Sequence, residues 1–259
     1  MDLGIKGKRA LVCASSKGLG LGCARALAEA GVDIVMNARG AEALEEAAQA
    51  IRDDFGVEVT AVAADIVSEE GRAKVLEAAG DLDILITNAG GPPPGMWADW
   101  SREDFIKALD ANMLTPIALM QAALPGMMER GWGRVVNITS QSVKAPMAIL
   151  GLSNSARTGL TGFVAGTARQ VAPSGVCINN LLPGSHTTNR TDTMDGKRAA
   201  DAGVSMEELR AEKFKEIPAR RYGTTEEFGA TCAFMCSQFA GFMVGQNILL
   251  DGGYNNFTL

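Results

Sequence analysis

Apolar and polar positions along the chain fall into two alternating kinds of segment. Short, nearly continuous apolar runs rich in β-branched residues occupy 9–14, 32–37, 57–63, 82–87, 133–139, 175–182 and 246–250. Between them lie longer stretches at 18–30, 41–54, 69–79, 102–130, 153–172 and 225–238, in which apolar positions recur with the helical period. The first kind reads as strands and the second as helices. Runs such as Leu82-Asp83-Ile84-Leu85-Ile86 lack the alternation of a half-exposed strand, so helices should cover both faces of the sheet. Strand and helix in regular alternation define βαβ units around a doubly wound parallel sheet, an α/β fold. The segment 41–54 joins strong helix formers to an acidic outer face, as a surface helix on such a sheet would.

Composition narrows the class further. A chain of 259 residues that is 47% hydrophobic can bury one large core, which predicts a single domain over 1–259. The formal charge of -6, with Lys and Arg spread thinly, argues against a nucleic-acid partner. No apolar run approaches the ~18 residues of a membrane span, and the first residues run into a strand without the pattern of a signal peptide. The expectation is a cytoplasmic protein with no membrane partner. Cys13, Cys23, Cys177, Cys232 and Cys236 sit in apolar surroundings, and their odd number suits buried thiols in a reducing compartment. With one histidine in the chain, Cys232 and Cys236 lack companions for a metal site, and none is predicted.

Two segments break the rhythm. Pro92-Pro93-Pro94 marks a stiff loop after the fourth strand, and 184–216 is a long polar excursion of the kind that forms lids or binding segments. The excursion carries six basic residues (Arg190, Lys197, Arg198, Arg210, Lys213 and Lys215) against seven acidic ones, so its composition declares no preference for a charged substrate.

The first strand ends in Ala14-Ser15-Ser16-Lys17-Gly18-Leu19-Gly20-Leu21-Gly22, and a helix follows at once. Glycines let backbone N–H groups approach a pyrophosphate, and the helix N-terminus favours its negative charge. Such a turn after the first strand of a βαβ unit predicts a dinucleotide site of the Rossmann type; a merely tight turn is the alternative. After the second strand, where an NAD site would carry an acid for the ribose 2′-hydroxyl, the chain has Asn37-Ala38-Arg39. Arg39, with Lys17, suits a 2′-phosphate, which favours NADP over NAD.

These residues resemble the short-chain dehydrogenase/reductase family, and its 3-oxoacyl-carrier-protein reductases in particular. Ala14 to Gly20 is similar to the family's TGxxxGxG turn, Asn88-Ala89-Gly90 to its NNAG turn, Asn112 to its helix asparagine and Ser140 to its catalytic serine. Pro183-Gly184 with Thr188, and Asp251-Gly252-Gly253, continue the match. The resemblance implies a seven-stranded Rossmann sheet of order 3-2-1-4-5-6-7 and a cofactor also touched by Asp65 and Ile66. It further implies a small-molecule substrate reduced or oxidised by hydride transfer, and a homotetramer or homodimer. The glycines Gly159, Gly162 and Gly166 lie on the helix that commonly forms a subunit interface in relatives.

The resemblance breaks where the family carries Tyr-x-x-x-Lys. Thirteen residues after Ser140 stand Ser153-Asn154-Ser155-Ala156-Arg157, so Ser153 and Arg157 occupy the tyrosine and lysine positions. A serine hydroxyl is a far weaker acid than a phenol, and arginine stays charged where lysine can exchange a proton, though Arg157 can still hold the cofactor's ribose hydroxyls and donate hydrogen bonds. His186, in Pro183-Gly184-Ser185-His186, is an acid–base candidate by its reference pKa; a histidine merely hydrogen-bonded in a loop is the other reading. Tyr222 and Tyr254 are out of register. The expectation is an NADP-dependent oxidoreductase acting on a carbonyl, alcohol or imine through an atypical site; the alternative is a cofactor-binding protein with little turnover. Ala14 also replaces the first glycine of the turn, which restricts its backbone.

Overall fold

The computed structural model describes residues 1–257. Seven parallel strands, β1 (Arg9–Cys13), β2 (Asp33–Ala38), β3 (Val59–Ala63), β4 (Ile84–Thr87), β5 (Gly133–Ile138), β6 (Val176–Pro183) and β7 (Asn247–Leu250), form one sheet in the order β3-β2-β1-β4-β5-β6-β7. Strand order reverses between β1 and β4, which is where open α/β sheets leave a crevice at their carboxyl ends. Helices α1 (Gly18–Glu29), α2 (Ala41–Phe55) and α3 (Glu69–Ala79) carry the first half of the chain. Helices α4 (Arg102–Leu109), α5 (Thr115–Glu129), α6 (Gly151–Val171), α7 (Asn189–Ala202), α8 (Met206–Glu216) and α9 (Thr225–Cys236) carry the second. No helix of the described residues is long and apolar enough to cross a membrane.

Two apolar layers hold the sheet between helices. One, with Leu27, Met36, Ile51, Ile86, Phe228 and Cys232, lies under α1, α2 and α9; the other, with Leu11, Val35, Leu85, Leu119, Leu160 and Ile178, lies under α3, α5 and α6. All five cysteines are free and buried. Helices α1 and α9 touch through glycine, because a Cβ at Gly22 would overlap the Thr225 carbonyl and one at Gly229 would overlap that of Gly22.

The sheet is not wholly apolar inside. Thr87 Oγ1 donates to Asn137 Oδ1 at 2.6 Å, Asn137 Nδ2 to Asn180 Oδ1 at 3.2 Å, and Asn180 Nδ2 to Asn247 Oδ1 at 2.8 Å. These residues are register partners across β4, β5, β6 and β7. The ladder satisfies each buried side chain with the next, so it fixes the relative heights of the strand ends that frame the crevice.

One expectation is corrected and one is filled in. The single helix expected over 102–130 is interrupted by a π-helical turn, Asp110–Leu114, where the Thr115 N–H reaches back to the Asp110 carbonyl. Pro116 provides the reason, since it has no N–H to return to the carbonyl of Asn112. The excursion over 184–216 is mostly helical, being α7 and α8 joined by a short turn. Its anchor is Asp195, 1% exposed, which accepts from Arg210 Nε at 3.1 Å, from Tyr222 Oη at 3.0 Å and from Lys213 Nζ.

Candidate active site

The turn from β1 into α1 begins with a constrained residue. Ser15 N–H donates to the Asn37 carbonyl at 3.0 Å and its Oγ to the Val12 carbonyl at 2.8 Å. These bonds draw the chain sharply over the end of β2 and hold Ala14 at φ +49, a left-handed conformation unusual for a residue with a Cβ. Glycine supplies the rest of the turn: Gly18 has φ +60, and a Cβ at Gly20 would overlap the Ala14 carbonyl oxygen. No side chain caps the N-terminus of α1, so its first N–H groups face the crevice without a partner from the cap residue Lys17. Backbone donors, a helix dipole and room for close approach fit the pyrophosphate of a dinucleotide.

Beside this turn opens a cavity of about 400 Å³. Ala14, Lys17, Gly18 and Leu19 line one end, Asn88, Ala89 and Gly90 the side after β4, and Pro183, Gly184, His186 and Thr188 the side after β6. Ser140, Ser153 and Arg157 line the other end. Ser140 follows β5, and its Oγ accepts from the Ser142 N–H at 3.1 Å. Ser153 and Arg157 come from the first two turns of α6, four residues apart, and so share a face. The Ser153 hydroxyl makes no hydrogen bond among the described residues, which leaves it free toward the cavity.

Arg157 is 7% exposed. Its Nη1 donates to the Ile138 carbonyl at 2.9 Å and the Thr139 carbonyl at 2.8 Å, pinning the guanidinium to the end of β5. Burial lowers its pKa to about 10, and the nearby charge of Arg190 acts in the same direction. The group remains a cation at neutral pH.

Most of the other sequence-derived candidates lie off the cavity wall, His186 excepted. Ser15 is fully buried beneath the turn, and Ser16 stays off the cavity wall. Arg39 stands exposed at the end of β2, outside the cavity and without an ion pair among the described residues. Asp65 is exposed after β3, where its Oδ1 accepts from the Val67 N–H at 3.1 Å, while Ile66 points into the core. Asn112 is buried in the π-helical turn behind the cavity, with Nδ2 3.4 Å from the Ala108 carbonyl and Oδ1 unpartnered. His186 is wedged in place: its ring meets Phe228 edge-on, abuts Gly223, and holds Nδ1 3.3 Å from the Gly184 carbonyl. Burial lowers its pKa, so it is neutral near pH 7. Tyr222 is spent on Asp195 and does not line the cavity.

Sequence reading missed the far wall. Asn189, Arg190, Thr191 and Met194 of α7, with Met147 and Leu150 ahead of α6, close the cavity over the strand ends. The only signal for Arg190 was its membership of the polar excursion, which does not say which way it faces.

A parallel sheet with this strand order, a glycine turn at its switch point and a serine facing an α6 pair define a nicotinamide-type oxidoreductase scaffold. The sequence profile of the family described as enoyl-(acyl carrier protein) reductase matches residues 13–255. The chain is 30% identical over 98% of its length to 3-oxoacyl-[acyl-carrier-protein] reductase FabG of Aquifex aeolicus, covering 99% of that protein. It is 31% identical over 96% of its length to D-beta-hydroxybutyrate dehydrogenase of Cupriavidus necator, covering 98% of it. Among solved structures, L-sorbose reductase of Gluconobacter frateurii in complex with NADPH and L-sorbose superposes with a TM-score of 0.95 at 29% identity, covering 99% of this chain and 100% of that one. The chain belongs to the short-chain dehydrogenase/reductase family.

Proposed function

We propose that the protein is an NADP(H)-dependent oxidoreductase that passes hydride between the nicotinamide and a small carbonyl, alcohol or imine substrate. The observation that carries this reading is convergence: the uncapped α1 turn and the Ser140–Ser153–Arg157 group open onto one cavity at the switch point of the sheet. The Ala14–Gly20 turn, with Ser15 and Ser16 shaping it from below, would hold the pyrophosphate. Asn88, Ala89, Gly90, Pro183, Gly184 and Thr188 would flank the nicotinamide half, and Asp65 and Ile66 the adenine half. Arg39, exposed and unpaired, is the residue for a 2′-phosphate, and the NADPH bound by the sorbose reductase of similar fold supports that choice.

When bound, the nicotinamide supplies or accepts the hydride. The chain's own groups then serve the substrate oxygen, with Ser140 and Ser153 as hydroxyl partners and Arg157 as a fixed cation with N–H groups to donate. Asn112 supports α6 from behind. Where a phenol ring stands in relatives, Ser153 leaves space and no comparably strong acid, and His186, which lines the same cavity, is the remaining acid–base candidate. A protonated imine, which needs no acid, or a carbonyl reduced slowly is the chemistry this site serves.

The same reading makes the protein a cytoplasmic homodimer or homotetramer, consistent with five buried free thiols. Gly162 and Gly166 on α6 have nothing of their own chain within 4 Å of where a Cβ would stand, so packing inside the chain does not offset their helix cost. A second copy against that face would.

Parallel thermal-shift titrations with NADPH and NADH test the cofactor claim. Ligand at about 100 times its Kd adds roughly 2.7 kcal/mol, a readily visible rise in Tm. NADPH should stabilise more than NADH, and protein plus NADPH should turn over a member of a ketone and imine panel. Absence of any shift would refute the reading.

A further inference from the structure

The electrostatics of the cavity are one-sided. Lys17, Arg157 and Arg190 line it, and no Asp or Glu does. Lys17 stands at the α1 turn, so its charge is answered when a pyrophosphate occupies that end. Arg157 stands at the opposite end with Ser140 and Ser153.

A buried guanidinium usually exhausts its donors on fixed acceptors. Arg134, the other buried arginine, commits two of its three nitrogens: Nε donates to the Ser237 carbonyl at 3.3 Å, Nη1 to those of Gly133 and Gly175 at 2.9 and 3.2 Å, and the group lies over the Trp132 ring. Arg157 commits only Nη1, to Ile138 and Thr139, and has no carboxylate within ion-pair distance. Its nearest recorded charge is a second cation, Arg190, which depresses its pKa in addition to burial. Arg190 in turn lies across Gly91, where a Cβ would stand 2.6 Å from its Nη1, and holds only a 3.4 Å hydrogen bond to the Gly91 carbonyl. Two guanidinium groups of like charge thus face one cavity with donors to spare and nothing acidic in the wall. Arg190 adds to the cost of burying Arg157 until an anion enters between them.

We propose that the substrate carries a carboxylate, received by Arg157 from α6 and Arg190 from α7 at the serine end of the cavity, so that the enzyme acts on oxo or hydroxy acids. This rests on the oxidoreductase reading above. Planar bidentate N–H pairs match a carboxylate better than a lysine would, which gives the arginine at the family's lysine position a purpose.

The test uses full-length protein, saturated with NADP⁺ for the binding measurements and given NADPH for the turnover measurements. Acetoacetate, levulinate and pyruvate are compared with their methyl esters by thermal shift and by competition against NADPH turnover. At least one acid should bind ten-fold or more tightly than its ester, with KM rather than kcat carrying the difference. Arg190→Gln, an exposed change that leaves the core intact, should reduce the acid preference about five- to ten-fold while the NADP⁺ Kd moves less than three-fold. Arg157→Lys should retain part of the preference and Arg157→Gln none. Esters equal to acids, no acid stabilising the NADP⁺ complex, or an Arg190→Gln variant that loses NADP⁺ affinity as much as acid affinity would each overturn the proposal. Failure of NADP⁺ itself to stabilise the protein would instead refute the underlying cofactor reading.

Discussion

Replacing Ala14 with glycine tests whether the cofactor turn is held in its shape by the surrounding hydrogen bonds. Ala14 sits at φ +49, and an L-residue in that region costs roughly 1–2 kcal/mol relative to its preferred conformations. Glycine removes that cost but loses about 0.5–1 kcal/mol more chain entropy on folding. The half-buried methyl contributes little by burial, so Ala14→Gly should stabilise the fold by roughly 0.5–1 kcal/mol, a rise in Tm of about 1–4 °C for a chain of this size. Because Ser15 already fixes the turn through Asn37 and Val12, the NADPH-induced shift should be unchanged. Gly18→Ala is the control of opposite sign: Gly18 has φ +60, and the nearest atom to a new Cβ is Thr188 Cγ2 at 3.6 Å, so strain without a clash should lower Tm. Thermal unfolding at fixed protein concentration, with and without NADPH, reads both. A fall in Tm for Ala14→Gly, or a loss of its NADPH shift, would refute the claim that the hydrogen bonds and not the residue set the turn.

Gly20→Ala should be far more damaging, since its Cβ overlaps the Ala14 carbonyl and stands 3.1 Å from Asn88 Nδ2; a loss of about 1–3 kcal/mol and abolition of the NADPH shift are expected. Asn137→Ala strands Thr87 and Asn180 inside the sheet, and chemical denaturation should show a loss of roughly 2–4 kcal/mol, against near neutrality if water replaces the side chain. For Asp195, burial alone would raise the carboxyl pKa, but hydrogen bonds from Lys213, Arg210 and Tyr222 together hold it below the ordinary value. A depressed folded pKa means stabilisation present above the unfolded value near 3.9 and lost as pH falls through the folded one, so α7–α8 should gain hydrogen exchange below about pH 4. Asp195→Asn should show that looser exchange already at pH 7. Restoring the family pair with Ser153→Tyr and Arg157→Lys together should raise kcat on a neutral ketone by about 10²–10⁴, the usual worth of a general acid, and an unchanged rate would show that more than the acid is missing.

The parts of the fold legible in the sequence are those written in local periodicity. The apolar run Leu82–Ile86 reads as a strand covered on both faces, and the glycines from Gly18 to Gly22, after the first strand, read as the opening of a helix over a close approach. The π-helical turn at Asp110–Leu114 was hidden because its cause, Pro116, lies inside an otherwise unbroken helical pattern and displaces a single hydrogen bond. The ladder from Thr87 to Asn247 was hidden for a different reason: each member is an isolated polar residue in an apolar strand, and it makes sense only beside a partner fixed by strand order. Within the candidate site, the sequence named Ser140, Ser153 and Arg157 by register, and α6 brings the last two onto one face as that register requires.

Charge was the least legible property, and the excursion over 184–216 shows why. Its six basic and seven acidic residues nearly cancel, which as a sum predicts indifference to a charged ligand. Folding partitions the sum. Asp195 takes Arg210 and Lys213, Asp192 takes Arg210 as well at 2.5 Å, and Glu212 takes Lys215 at 2.6 Å, so three acids and three bases are consumed inside α7–α8. Arg190, at the first turn of α7, is turned instead across Gly91 toward the cavity, where Arg157 already waits without an acid. A near-neutral segment therefore presents a cation to a cavity where a second cation, Arg157, is buried. On the proposal of a carboxylate substrate, selectivity follows from which charges are left over after α7 and α8 have satisfied each other, a quantity that no count along the chain contains.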